Sequence, residues 1–214
     1  MKFRTIVLFL IISTSSVYSI HNGYTVEPNS IPYQVLMIVK NSDHSSKCSG
    51  ALVKVDRVIT AAHCLKGKDT ARVTVGAHRI HDSDEDARQT QNVDSDSMYP
   101  HPLFAHGKGH DVGMIKLPEA FELNEYVALV KLPFALESYS FVGETGKVTG
   151  WGRIDDEEDN NGALRAVENP IISNEDCRKH GTRIDSGNLC MSGKHGRRTC
   201  NGDSGGPLVS FKFI

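Results

Sequence analysis

Three residues of this chain have the types, the order and the surroundings that acyl transfer through a serine needs. Ser204 stands in Gly202-Asp203-Ser204-Gly205-Gly206-Pro207. Glycines on both sides allow a tight backbone path and leave the hydroxyl and nearby amides open to a substrate carbonyl, which a buried structural serine does not require. His63 stands in Thr60-Ala61-Ala62-His63-Cys64, directly after the apolar run Val58 to Ala62. An imidazole projecting from the end of a strand there can take a serine proton, and the small alanines let the strand end pack closely. Asp111 opens the apolar run Val112 to Leu117, where a buried carboxylate can accept the Nδ1 proton of His63 and fix its tautomer.

Taken singly, these signals differ in weight. A histidine beside a cysteine is more often structural than catalytic, and an aspartate opening a strand is usually a turn residue. The serine hexapeptide is the specific part, and all three parts in the order His, Asp, Ser make coincidence a poor explanation.

The elements that must hold them are short. Apolar runs rich in β-branched residues recur at Gln34 to Val39, Ala51 to Val53, Val58 to Ala62, Val73 to Val75, Val112 to Leu117, Val148 to Trp151, Leu164 to Val167 and Asn188 to Met191. They predict strands separated by loops rich in Gly, Pro, Asn and Asp. Helical periodicity persists only from Ser173 to His180, where Ser173 and Asp176 predict the cap of a short helix. Many short strands with turn punctuation predict an all-β barrel or sandwich. Two acidic stretches, Asp82 to Asp86 and Asp155 to Asp159, are expected to be solvated loop tips. The first lacks the glycine and the ligand spacing of an EF-hand calcium loop.

Lys2 and Arg4 precede the apolar run Ile6 to Ile12, which is followed by small and polar residues up to Ser19. That layout predicts a secretory signal peptide over 1–19, cut between Ser19 and Ile20 with Val17 and Ser19 at the recognition positions. The run of 7 residues is far below the roughly 20 a membrane-spanning helix needs, and no later segment comes closer, so no membrane partner is expected. Loss of the leader takes the formal net charge from −2 to −4, so nucleic acid is not an expected partner. Cysteine occurs at 48, 64, 177, 190 and 200. In an oxidising compartment cysteines normally pair, so the odd number implies a free thiol, a bridge between chains or a lost partner, and arithmetic does not choose among these.

The segments GDSGGP at 202–207, TAAHC at 60–64, HDVGMIKL at 110–117 and TGWG at 149–152 resemble those of trypsin and chymotrypsin family serine proteases. Ile20-His21-Asn22-Gly23 is similar to the mature N-terminus of that family, and the likeness runs from Ile20 almost to Ile214. The resemblance implies two Greek-key β-barrels, the first over about residues 20–120 with His63 and Asp111, the second over about 131–214 with Ser204, and the triad in the cleft between them. It implies an oxyanion hole from the amides of Gly202 and Ser204, and a salt bridge between the Ile20 ammonium and Asp203 that shapes the hole. It pairs Cys48 with Cys64 and Cys177 with Cys190, leaving Cys200 over. His21 replaces a small apolar residue of the family pattern.

The same likeness puts Arg198, six residues before the serine, at the base of the specificity pocket, where trypsin-like members carry an aspartate. Cleavage after Lys or Arg is therefore not expected. An arginine there favours acidic side chains if it lines the pocket and is neutral if it points to solvent beside Arg197, so the preference expected is chymotrypsin-like or elastase-like. The position that opens a calcium loop in trypsin-type members is Ala77, without a carboxylate, and His101, His106 and His110 match no usual zinc spacing. No metal and no cofactor are expected. The chain ends 10 residues after Ser204, whereas the resemblance implies about 35 more, the size of a complete compact domain. Missing strands would leave the second barrel incomplete and expose its edge and core, so such a form is expected to be destabilised and weakly active.

Two functions from different classes follow. One is a secreted, monomeric endopeptidase acting on proteins or peptides through an acyl-enzyme and open to protein protease inhibitors. The other is a catalytically inactive, truncated homologue that binds or decoys.

Overall fold

The computed structural model describes residues 23–106, 109–133, 139–152, 162–180, 184, 186–196, 199 and 201–210. Twelve strands are formed over these residues: β1 (Tyr24–Thr25), β2 (Gln34–Lys40), β3 (Ser45–Lys54), β4 (Arg57–Thr60), β5 (Thr70–Val75), β6 (Gln89–Asp94), β7 (Met98–Pro100), β8 (Gly113–Lys116), β9 (Thr145–Gly150), β10 (Arg165–Ile172), β11 (Cys190–Met191) and β12 (Leu208–Ser210). Two short helices accompany them, α1 (Ala62–Leu65) and α2 (Asn174–Arg178). No helix among the described residues is long and apolar enough to cross a membrane.

The strands make two antiparallel sheets that curl, as expected for an all-β fold of the barrel type. The first runs β6-β5-β2-β3-β4-β8-β7, and the second runs β1-β10-β9-β12, with β11 on the far end of β10. Tyr24 and Thr25 pair with Ala166 and Arg165 of the second sheet, although they lie within the stretch expected to form the first barrel.

The interior strand β2 explains how the sheets are held together. Its sequence, QVLMIVK, is apolar at consecutive positions rather than alternate ones, the pattern of a strand covered on both faces. Val35, Met37 and Val39 enter one core with Leu52, Val58, Val73 and Ile115. Leu36 and Ile38, on the opposite face, pack with Val26, Trp151, Leu164 and Ala166. Each such fully buried side chain contributes about 1.5–3 kcal/mol. Gln34, also buried, bridges the sheets: its Nε2 donates to the Thr149 carbonyl at 3.3 Å and its Oε1 accepts from Thr149 Oγ1 at 2.7 Å.

Several elements depart from sequence expectation: β1, β7 and β12 form where the apolar runs predict no strand, and β3 starts at Ser45 rather than Ala51. The run Val58 to Ala62 leaves the sheet at Thr60, and His63 lies in α1 rather than on a strand end. The run Leu164 to Val167 continues to Ile172 through Pro170. The polar strand β6 carries no apolar alternation, yet it forms the sheet edge because Gln89 and Gln91 each pair both ways with a loop backbone, at Glu122 and Glu119. Helix α2 begins at the expected cap, Ser173, whose Oγ accepts the Asp176 N–H at 3.0 Å.

The acidic loop Asp82 to Asp86 is solvated except at Glu85. That carboxylate accepts the N–H groups of His78 and Arg79 and pairs with Arg88, closing the loop internally. The second acidic stretch, Asp155 to Asp159, lies outside the described residues.

Candidate active site

His63 is fixed from below by packing and from the side by a bridge. Ala61 and Ala62, the cap and first residue of α1, are buried, and Cys64 is joined to Cys48 on β3 by a disulfide. A second disulfide joins Cys177 and Cys190 in the other half of the chain. Cys200 lies outside the described residues, as do Ile20 and Arg198.

Asp111 precedes β8 and meets His63 with both carboxylate oxygens. Oδ1 accepts the His63 backbone N–H at 2.9 Å, and Oδ2 lies 2.7 Å from His63 Nδ1. A carboxylate only accepts, so Nδ1 carries the proton and Nε2 presents a lone pair. The expectation of a buried Asp111 is corrected: its side chain is 42% exposed and that of His63 34%. The aspartate stands just outside the sheet, at the end of a loop, with one side of the carboxylate open to solvent. Its orientation therefore depends on these two hydrogen bonds rather than on a closed pocket.

The serine segment hangs from the same first sheet. Ser49 of β3, fully buried, donates its N–H to the Ser204 carbonyl at 2.8 Å and its Oγ to the Gly202 carbonyl at 3.2 Å. The Cys64 sulfur lies 3.7 Å from the same Ser204 carbonyl. Gly206 N–H donates to the Asp203 carbonyl at 3.0 Å, closing the turn. Gly205 has φ +82°, and a side chain there would come within 2.1 Å of Thr60 Oγ1 and 2.5 Å of the Ser49 carbonyl. Glycine is required at that position by both conformation and space.

Asp203 is buried, with Oδ1 accepting the Gly152 N–H at 2.8 Å. A side chain at Gly150 would meet the same oxygen at 2.2 Å, so the Gly150-Trp151-Gly152 turn is shaped around this carboxylate. Trp151 anchors the turn by donating Nε1–H to the His78 carbonyl at 3.0 Å.

Donor atoms of Cys48, His63 and Cys64 lie within 4.8 Å of one another, but the disulfide consumes both thiolates that a metal would need. His101 and His110 stack face to face at 4.8 Å, and His106 sits edge-on to Phe104. Sequence reasoning missed Ser49. Its one signal is a polar residue in the otherwise apolar run Cys48 to Val53, and a buried serine in such a strand must find hydrogen-bond partners.

The first sheet therefore carries both a histidine whose Nδ1 faces a carboxylate and, through Ser49 and Cys64, a serine on a tight glycine turn. Those are the residue types that a serine nucleophile and its base require. The trypsin family profile matches residues 20–212. A chymotrypsin of Phaedon cochleariae is 33% identical over 88% of this chain and 68% of its own length. A brachyurin of Leptuca pugilator is 34% identical over 87% and 79%, and a trypsin of Sus scrofa 32% identical over 87% and 78%. The chain belongs to the trypsin family of serine endopeptidases.

Proposed function

We propose that the protein is a secreted endopeptidase that cleaves peptide bonds through an acyl-enzyme, with Ser204 as nucleophile, His63 as general base and Asp111 as the group that orients it. His63 Nε2 takes the Ser204 proton as Oγ attacks the peptide carbonyl. The oxyanion is met by the amides of Gly202 and Ser204. The C–N bond then breaks, the imidazolium gives its proton to the leaving amine, and water hydrolyses the ester by the same steps in reverse order. The observation that carries this reading is the 2.7 Å contact between His63 Nδ1 and Asp111 Oδ2 beside a serine turn held by Ser49.

The Ile20 ammonium pairs with Asp203 in this reading. Support comes from the burial of that carboxylate and from β1, which starts at Tyr24 and pairs into the sheet that contains β9. The leader 1–19 precedes a single peptidase domain over 20–214, built as two barrels. Secretion is supported by the basic and apolar leader and by two disulfides. A chymotrypsin-like or elastase-like preference is supported by Arg198 in place of an aspartate.

Incubating the secreted protein with a mixed peptide library and identifying the products by mass spectrometry tests this. Cleavage after aromatic or aliphatic residues, lost in His63→Ala, is the expected outcome. Cleavage confined to Lys and Arg would overturn the specificity, and the absence of new termini would overturn the activity.

A further inference from the structure

Helix α1 ends in a lysine whose side chain is committed. Lys66 follows α1 as its cap, with its own N–H donating to the Ala62 carbonyl at 2.9 Å. Its ammonium donates to the Phe104 carbonyl at 3.1 Å and stands 5.5 Å from the centroid of the Phe104 ring. A lysine at an exposed helix end normally trails in water. This one makes a charged hydrogen bond and a cation–π contact with a single residue.

That residue is a fixed point of the loop that carries Asp111. Phe104 is 5% exposed, and its N–H donates to the His101 carbonyl at 2.9 Å. His101 N–H donates to the carbonyl of Val112, next to Asp111, also at 2.9 Å. The contacts form a closed ring: from Asp111 through Val112, His101, Phe104 and Lys66 to α1, and through His63 back to Asp111. Beside His63 itself, Lys66 gives α1 a second grip on the loop. The loop needs a grip, because His110 holds φ +58° immediately before Asp111, a conformation that non-glycine residues adopt only when held.

We propose that Lys66 is a positioning residue that sets the His63–Asp111 geometry by tying the helix of one to the loop of the other. This rests on the reading of His63 and Asp111 as base and orienting carboxylate. An arginine can reproduce both contacts with its guanidinium, whereas methionine keeps the stem and loses both.

The test compares the full secreted chain with Lys66→Met and Lys66→Arg. Two readouts are the maximal rate of fluorophosphonate capture at Ser204, separated from the probe's affinity, and the low-field proton resonance of His63 Nδ1. Lys66→Met is expected to slow capture about tenfold without weakening probe binding, because displacement of a reacting group by a fraction of an ångström costs on that scale. The resonance is expected to move upfield and broaden, and Lys66→Arg to restore both. A Lys66→Met protein with wild-type capture and an unmoved resonance overturns the proposal, as does a loss that Lys66→Arg does not restore. If the wild-type chain takes no adduct, the reading of the site fails, and the resonance alone then decides for or against Lys66.

Discussion

The chemistry of His63 turns on which ring nitrogen keeps its proton, and Asp111 settles that through one 2.7 Å contact. Asp111→Asn preserves the shape and offers the ring an amide that can donate, so the wrong tautomer becomes accessible. Peptidase activity is expected to fall about 10⁴-fold, the scale that asparagine produces at this place in a serine-protease triad, with the fold intact by circular dichroism. A second histidine acts on stability. His78 is buried, its Nδ1 has no hydrogen-bond partner among the described residues, and burial pushes its pKa below the ordinary 6.5. The unfolded chain thus takes up a proton that the folded one refuses, so this residue lowers stability as pH falls below 6.5. Urea midpoints at about pH 8 and about pH 5 are expected to differ less in His78→Gln than in wild type.

Among elements, the turn at Ser204 is tightly constrained, because Gly205 sits against Thr60 and Ser49 of the first sheet. Gly205→Ala is expected to destabilise the protein by about 1–3 kcal/mol through strain at positive φ and to abolish activity by displacing the serine, both measurable on one preparation. The serine turn was legible in the sequence because flanking glycines specify it, whereas the histidine and the aspartate, weak signals singly, drew their weight from preceding it in the order His, Asp, Ser. The exposure of Asp111 was not legible, since it depends on which distant segments cover a loop end. The one-turn helix at His63 was hidden for a related reason, because Ala61 and Ala62 extend the apolar run of β4 without belonging to its ladder. Strand β6 escaped notice because its pairing surface is satisfied by glutamine side chains, which carry no apolar period.

At the scale of the molecule, the two sheets are held together because β2, a strand of the first, packs its other face against side chains of the second. The consecutive apolar residues of that strand announce burial on both faces, but not which partners cover them, and so the bridge from Gln34 to Thr149 could not be read in advance. Gln34→Leu leaves the buried Thr149 hydroxyl without its acceptor and is expected to cost about 1–3 kcal/mol, seen as a lower urea midpoint. Catalysis joins the halves, since it requires the serine of one to be activated by the histidine of the other. Intact mass spectrometry of the secreted protein after treatment with a fluorophosphonate tests it most directly. A single adduct mapping to Ser204, absent in Ser204→Ala and in His63→Ala, is the predicted result. A folded wild-type protein that takes no adduct would contradict the account and identify a binding protein on a peptidase frame.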